Sequence, residues 1–398
     1  MHDREIPYFL GRREIVVIRY CQRCILPDTR PGLELGTDGI CSACRGHEKH
    51  HEDVDWEVRR EQFGALVDQV RSLGRPYDCV IPVSGGKDST WQTVVCLEHG
   101  LHPLAVTWKT PARTDLGARN LENLVELGVD HIDFQINPRV ERRLVLEALV
   151  RFGTPALPMH LALFNIPLTI GARFDTPLVV WGENSATEYS GSGPESESFT
   201  LDAAWLRKYG VAHGTTAADW VSDELSAQDL TPYFGPSDEE LSDKGVKAVF
   251  LGHFFEWDPE RTAQVAREHG FTDRSEGPVT GYYAFADIDD AFLISVHHWL
   301  KWFKFGFTRT YDNLSLEIRN GRMTRDEAVE IIRERGDETP VEDIEELCSY
   351  LEIPSARFYE IAEGFRDPDV WVSRNGGWEI DDFLIPDWSW DREASRGS

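Results

Sequence analysis

Residues Ser84-Gly85-Gly86-Lys87-Asp88-Ser89 join an apolar run, Cys79 to Val83, to a stretch with helical periodicity. A glycine-rich turn that opens a helix presents free backbone N–H groups and the positive end of the helix dipole, so its natural guest is an anion. Gly85 and Gly86 let the backbone close around a phosphate, and Ser84 and Ser89 add hydroxyl donors. The order does not fit the G-x-x-x-x-G-K-[ST] phosphate loop. Asp88 is anomalous here, because a carboxylate repels bound phosphates. The anomaly resolves if Asp88 holds a Mg2+ that bridges to them.

A second constellation lies upstream. Four of the seven cysteines form two pairs, Cys21 with Cys24 and Cys41 with Cys44, in the pattern C-x2-C-x16-C-x2-C. That spacing suits a four-thiolate Zn2+ site, each pair gripping one ion from a tight turn. Disulfides, an empty remnant and a redox or sulfur-carrying pair are the alternatives, and a cytosolic setting weighs against the first. His47, His50 and His51 are close enough to replace a thiolate but read more simply as surface histidines. Cys79, Cys96 and Cys348 sit in apolar patterns and read as small core residues.

Strands and helices alternate around the glycine-rich turn. The run "DCVIPV" reads as a buried strand, Ser89 to His99 as a helix and "LHPLAVTWK" as a second strand. A helix over "GARNLENLVELG", a strand over "DHIDFQIN", a helix from Pro138 to Gly153 and a strand over "PLVVWGEN" follow. This alternation predicts an α/β fold with a doubly wound parallel sheet, whose ligands sit beyond the carboxyl ends of the strands. Both the Ser84–Ser89 turn and the Trp181-Gly182-Glu183-Asn184 stretch fall at such ends. The expected layout is a zinc-binding module over 1–55, a nucleotide-binding α/β domain over 56–258 with an insertion at about 190–247, and a mostly helical region over 259–398. Within 1–50 the sequence predicts short strands and turns.

The chain has 398 residues, 41 Lys and Arg against 69 Asp and Glu, and a formal net charge of -28. A nucleic-acid partner is disfavoured, since phosphate backbones need a basic face. No apolar run is long enough to span a membrane, and the N-terminus lacks the pattern of a secretory signal. A cytoplasmic protein with no membrane partner is expected.

The Ser84–Ser89 turn matches the SGGxDS signature of the PP-loop ATP pyrophosphatases. A resemblance over nearly the whole chain is more specific. The stretches "RYCQRCILPDTRPG", "DGICSACR", "IPVSGGKDSTWQ", "LGARNLENLVELGVDHIDF", "WGENSATEYSG" and "HWLKWFKFGFTRTYDNLSLEIRNGRMTRDEA" resemble the N-acetyl sugar amidotransferases of surface-polysaccharide pathways. The resemblance implies an ATP-dependent ligase that adenylates the N-acetyl carbonyl of an activated sugar. Ammonia then gives an acetamidino sugar, with AMP and pyrophosphate released. ATP, Mg2+ and Zn2+ are the implied cofactors, and a separate glutaminase is the implied ammonia source. One departure is Met159, where relatives often carry a cysteine. A PP-loop tRNA-modifying enzyme is the alternative, and the acidic charge weighs against it.

On this reading Ser84, Gly85, Gly86, Asp88 and Ser89 seat ATP, with Lys87 and Asp88 at the reacting phosphates. Glu183 is suited to hold Mg2+ or orient ammonia, and Asn184 to bind the sugar amide; a polar turn with a helix cap is the alternative. Lys301, Lys304, Arg309 and Arg319, with Arg322, are candidates for the diphosphate of a nucleotide sugar or the pyrophosphate leaving group. Their alternative is pairing with the protein's own carboxylates. His160 and His253 read as structural histidines.

Overall fold

Five short parallel strands form the sheet: β1 (Cys79–Pro82), β2 (Pro103–Trp108), β3 (Asp130–Phe134), β4 (Leu178–Trp181) and β5 (Lys247–Phe250). Their order is β3-β2-β1-β4-β5. This computed structural model describes residues 17–184, 200–201, 205–206, 213–374 and 376–390. The opening residues of the expected zinc module and much of the expected insertion, including the Gly-Ser-rich loop at 190–199, lie outside the described residues.

Helices α1 (Ser42–Asp53) and α2 (Trp56–Ser72) precede the sheet. Helices α3 (Lys87–Glu98), α4 (Asp115–Val125), α5 (Pro138–Phe152) and α6 (Leu157–Arg173) connect its strands, and α7 (Asp238–Lys244) leads into β5. After the sheet come α8 (Pro259–Glu268), α9 (Leu293–Phe305), α10 (Arg309–Arg319), α11 (Arg325–Arg335), α12 (Val341–Leu351) and α13 (Ser355–Gly364). A two-stranded antiparallel hairpin, β6 (Val372–Arg374) and β7 (Gly377–Glu379), follows them.

The chain winds outward from β1 through β2 to β3, then lays β4 against the other side of β1, with Cys79 opposite both Pro103 and Leu178. The order therefore reverses between β1 and β4, where an open α/β sheet has its ligand crevice. Along β1, Cys79 and Ile81 enter one apolar cluster and Val80 the other. This is the period-2 alternation of a strand covered on both faces. Phe63 and Val67 of α2 and Trp91 and Val95 of α3 fill the first cluster; Leu144 of α5 and Leu161 of α6 lie in the second.

Two local expectations are corrected. The helix after β1 starts at Lys87 instead of Ser89, because Gly86 is already extended and serves as its N-cap. That shift puts Asp88 in the first turn. Residues 42–53, expected to be turns and linker, form α1. Cys41 caps it by accepting a hydrogen bond on Sγ from the Cys44 N–H, and its polar run offers no apolar period to read.

The cysteine module does not stand apart from the helical region. Ile18, Leu26 and the four paired cysteines share one apolar cluster with Trp299, Trp302 and Leu314. The Thr29 hydroxyl donates to the Phe305 carbonyl at 2.6 Å, and Arg325 Nε donates to the Cys24 carbonyl at 3.0 Å. Arg30 Nε meets Asp312 Oδ1 at 2.8 Å, and Lys301 Nζ lies 3.2 Å from the other Asp312 oxygen. Burial alone would raise the Asp312 pKa, but Arg30, Lys301 and Arg309 outweigh it and hold this carboxyl well below the usual carboxylate range.

A depressed folded pKa gives stability that is complete above the ordinary carboxylate range and is lost as pH falls through the lowered value. Replacing Arg30 with Met should therefore lower the melting temperature at pH 7 and move acid unfolding to higher pH. The cost should be about 1–3 kcal/mol, less than the ~3–5 kcal/mol of a fully orphaned buried charge, because Lys301 still faces Asp312. Circular dichroism melts across pH 3–7 measure both effects, and an unchanged acid limb would show that the pair contributes nothing.

Candidate active site and metal centre

The turn after β1 is built by its glycines. Gly85 has φ +87°, and a Cβ there would lie 2.6 Å from the Leu121 N and 3.0 Å from the Gly117 carbonyl. Only glycine fits both the left-handed backbone and this close approach to α4. The hydroxyls stiffen the loop. Ser84 Oγ accepts from the Gly86 N–H at 3.2 Å, while Ser89 Oγ donates to the Gly86 carbonyl at 3.0 Å. No side chain caps α3, so its first turn keeps the backbone donors that an anion needs.

Asp88 is not a helix cap. Both of its carboxylate oxygens hold the Lys87 ammonium, at 2.7 and 2.6 Å, and Oδ1 also accepts from Trp257 Nε1 at 2.9 Å. The same ammonium lies 5.2 Å from the Trp257 ring centroid and 5.5 Å from that of Phe285. Asp88 thus binds a cation, and the residues present fit Mg2+ chemistry. Glu183, at the carboxyl end of β4, supplies a second carboxylate. Burial first, and then the charge of Asp88, push its pKa up to about 7, against the pull of Lys87 and Arg309. A cation held beside Asp88 would offset the charge that raises the proton affinity of Glu183.

Asn184 is buried, and its Oδ1 accepts from Trp205 Nε1 at 3.2 Å. Arg309 opens α10 close enough to act on the charge of Glu183. Lys301 is held by Asp312. Lys304 turns to the end of α5, where its ammonium donates to the Gly153 carbonyl at 3.0 Å. Burial, and then the charge of Lys301, lower its pKa to about 7. Arg319 closes α10, about 15 Å along the axis from Arg309 at 1.5 Å per residue, so the structure does not gather it with the others. Arg322 meets Asp258 and Glu317, each at 2.7 Å. It lines a cavity of about 550 Å3 that also contains Trp257, Arg261, Arg267 and His47. His160 Nδ1 donates to the Ala156 carbonyl at 2.7 Å, Met159 packs in the core, and His253 meets Arg59.

Three contributors went unread in the sequence. Trp257 orients Asp88. Asp289 reaches the loop from the C-terminal region: its carboxylate meets the Ser84 hydroxyl, and burial pushes its pKa up to about 6. Asp290 anchors the same segment by accepting backbone N–H bonds from Phe292, Leu293 and Ile294, the last two in the first turn of α9. The cluster Asp287-Ile288-Asp289-Asp290 is visible as letters, but nothing local distinguishes it in so acidic a chain.

The four paired cysteines converge as expected. Their sulfurs all lie within 4.8 Å of one another, with Cys24 and Cys41 3.7 Å apart and Cys21 and Cys44 4.0 Å apart. Tetrahedral Zn–S bonds of about 2.3 Å place sulfurs about 3.8 Å apart. Backbone N–H groups of Leu26, Cys41 and Cys44 donate to the sulfurs of Cys24, Cys21 and Cys41 at 3.3–3.5 Å, the support that thiolate ligands require. The neighbouring thiols, Cys24 first, hold Cys21 far below the ordinary thiol range. The set fits Zn2+.

The chain is an α/β protein with a parallel sheet in this order, a four-cysteine cluster and a helical C-terminal region, and the loop at the carboxyl end of its central strand matches the SGGxDS signature of the PP-loop ATP pyrophosphatases. Residues 276–383 match the family model "LPS biosynthesis protein WbpG-like, C-terminal domain", which supports the kinship read from the sequence. That span carries Asp289, Lys301 and Arg309. Among solved structures, NMN synthetase from Francisella tularensis matches at 14% identity, covering 55% of this chain and 95% of its own, with a TM-score of 0.25. No curated protein matches the chain.

Replacing Cys41 with Ser should abolish stoichiometric zinc, read by elemental analysis, and lower the melting temperature, since structural zinc contributes folding free energy directly. Wild-type protein purified without chelators and free of zinc would refute the assignment. Replacing Asp88 with Asn should leave the melt near wild type and slow pyrophosphate release by about 100-fold or more, the equivalent of ~3 kcal/mol of transition-state stabilisation. Near-normal release at saturating Mg2+ would show that Asp88 only anchors Lys87.

Proposed function

We propose that this chain is an ATP-dependent amidotransferase of polysaccharide biosynthesis. It adenylates the N-acetyl carbonyl oxygen of an activated sugar and lets ammonia displace AMP to give an acetamidino group. One observation carries the reading. The PP-loop carboxylate Asp88, Glu183 at the neighbouring strand end, and Arg309 from the WbpG-like span come together at the carboxyl ends of the central strands.

The loop N–H groups and the uncapped start of α3 seat the phosphates of ATP. Mg2+ held by Asp88 and Glu183 would neutralise charge on the departing pyrophosphate. Lys87, released from Asp88, is within a side-chain rotation of the same phosphates. The sugar carbonyl oxygen attacks the α-phosphorus, the bond to the β-phosphate oxygen breaks, and an O-adenylyl imidate forms. Ammonia adds to its carbon and AMP leaves, so no protein nucleophile is needed. Asn184, held by Trp205, would bind the sugar amide. Because water would hydrolyse the imidate, positioning and exclusion of water dominate the catalysis.

Ammonia comes from a partner glutaminase on this reading. Cys79, Cys96 and Cys348 are buried, and the other described cysteines form the metal-binding cluster. The protein supplied with ATP, Mg2+ and an N-acetylated nucleotide sugar should release pyrophosphate and form product with ammonium salts but not with glutamine. Efficient use of glutamine by the chain alone would overturn the partner requirement. No sugar-dependent pyrophosphate release would overturn the function.

A further inference from the structure

Basic side chains gather between the start of α6 and the buried face of α9, apart from the groups that handle ATP. His297, Lys301 and Lys304 are spaced by four and three residues, so they share one face of α9. Across from them stands His160 of α6, with its ring centroid 6.1 Å from that of His297, which in turn is 5.5 Å from His298. Arg309, at the start of α10, lies close enough to act on both His298 and Glu183. The cluster thus continues from the reacting end of the site.

The hydrogen bonds show which of these groups are committed. Lys304 is taken up by the carbonyls at the end of α5, a structural role. His160 bonds the Ala156 carbonyl through Nδ1, and His297 bonds Thr154 Oγ1 through Nδ1 at 2.7 Å. Neither Nε2 has a hydrogen-bond partner among the described residues. The Lys301 ammonium has three donors, and Asp312 takes one of them.

The charges facing this cluster are few. His298 lies 3.5 Å from Asp287, and Asp312 is shared between Lys301 and Arg30. His213, stacked on Phe152, adds another imidazole near Lys304 and His160. Burial, and then the neighbouring positive charges, hold His297 and His298 far below their usual pKa; burial foremost brings His160 down to about 4. Their rings are therefore neutral in the free chain. Bases kept neutral chiefly by burial, and then by neighbouring charges, take up protons when an anion arrives among them.

We infer that His160, His297 and Lys301 form the subsite for an oxyanion carried by the sugar acceptor, a phosphate or a carboxylate, with Arg309 bridging it to the Glu183 end where the amide reacts. The identity of the acceptor rests on the amidotransferase reading; the anion site itself does not. Ligand uptake at this subsite is coupled to proton uptake.

The test fills the PP-loop with α,β-methylene-ATP and Mg2+, then titrates the full chain calorimetrically with UDP and, separately, with glucuronate. Titrations in two buffers of different ionisation enthalpy report protons taken up. Binding of UDP identifies a diphosphate as the anion, and binding of glucuronate a sugar carboxylate; either supports the subsite. His160→Gln and His297→Asn should each weaken the bound probe at least tenfold and reduce the proton uptake, with α,β-methylene-ATP affinity and melting temperature unchanged. Lys301→Met should weaken it further, and its melt shows whether the loss of a partner for Asp312 has unfolded the chain. Wild-type protein that binds neither probe, or folded histidine variants that bind as wild type does, would overturn the subsite. Probe binding without sugar-dependent pyrophosphate release would instead strike the amidotransferase reading and leave the subsite standing.

Discussion

The arrangement of the site depends on one buried carboxylate. Asp312 accepts Arg30 from the cysteine module and Lys301 from α9, and Arg309 of its own helix adds to the field that keeps it ionised. A lone charge at 1% exposure would be expensive to bury. Two cations from separate parts of the chain make it tolerable, and the geometry they require fixes the module, α9 and α10 against one another. The four-cysteine module and helices α9 and α10 are therefore one mechanical unit, although hundreds of residues separate them in sequence.

That unit meets the sheet through a short acidic segment. Asp290 takes the N–H groups at the start of α9, the Ala291 N–H donates to the Ala112 carbonyl, and Asp289 reaches Ser84. A Cβ at Gly117 would come 2.5 Å from the Asp289 Cα, so α4 and this segment touch backbone to backbone. The region that matches the WbpG-like family model thus closes over the phosphate loop. On the proposed function, the sheet would supply the nucleotide cradle and the C-terminal helices the half that distinguishes one acceptor from another.

What the sequence disclosed follows from range. The PP-loop was legible because its determinants are local: a buried strand, two glycines and a helix start within a dozen residues. The four-cysteine cluster was legible because spacing alone restricts tetrahedral thiolates. The sheet was legible from alternation, with strand ends displaced by a few residues. Asp289, Asp290 and Asp312 were not, since their roles arise from partners far away in the chain and they are three among 69 acidic residues. Helix α1 was hidden for a different reason: it is capped by a cysteine sulfur and carries no apolar stripe. Lys304 shows the opposite failure. Its rarity suggested a ligand contact, yet the carbonyl ends of α5 already account for it.

The clasp between Lys87 and Asp88 has a consequence for ion selectivity. A chain with a net charge of -28 concentrates divalent cations around itself. An uncovered Asp88 beside Glu183 would trap whichever one arrived first. With its own ammonium seated on both oxygens, and indole and phenyl rings alongside, the carboxylate offers stray metal a neutralised pair in place of a bare charge. Only a ligand that brings anionic oxygens for the ammonium together with a cation for the carboxylate can exchange both partners at once. On the proposed function a metal–nucleotide complex meets that requirement, and a free ion does not.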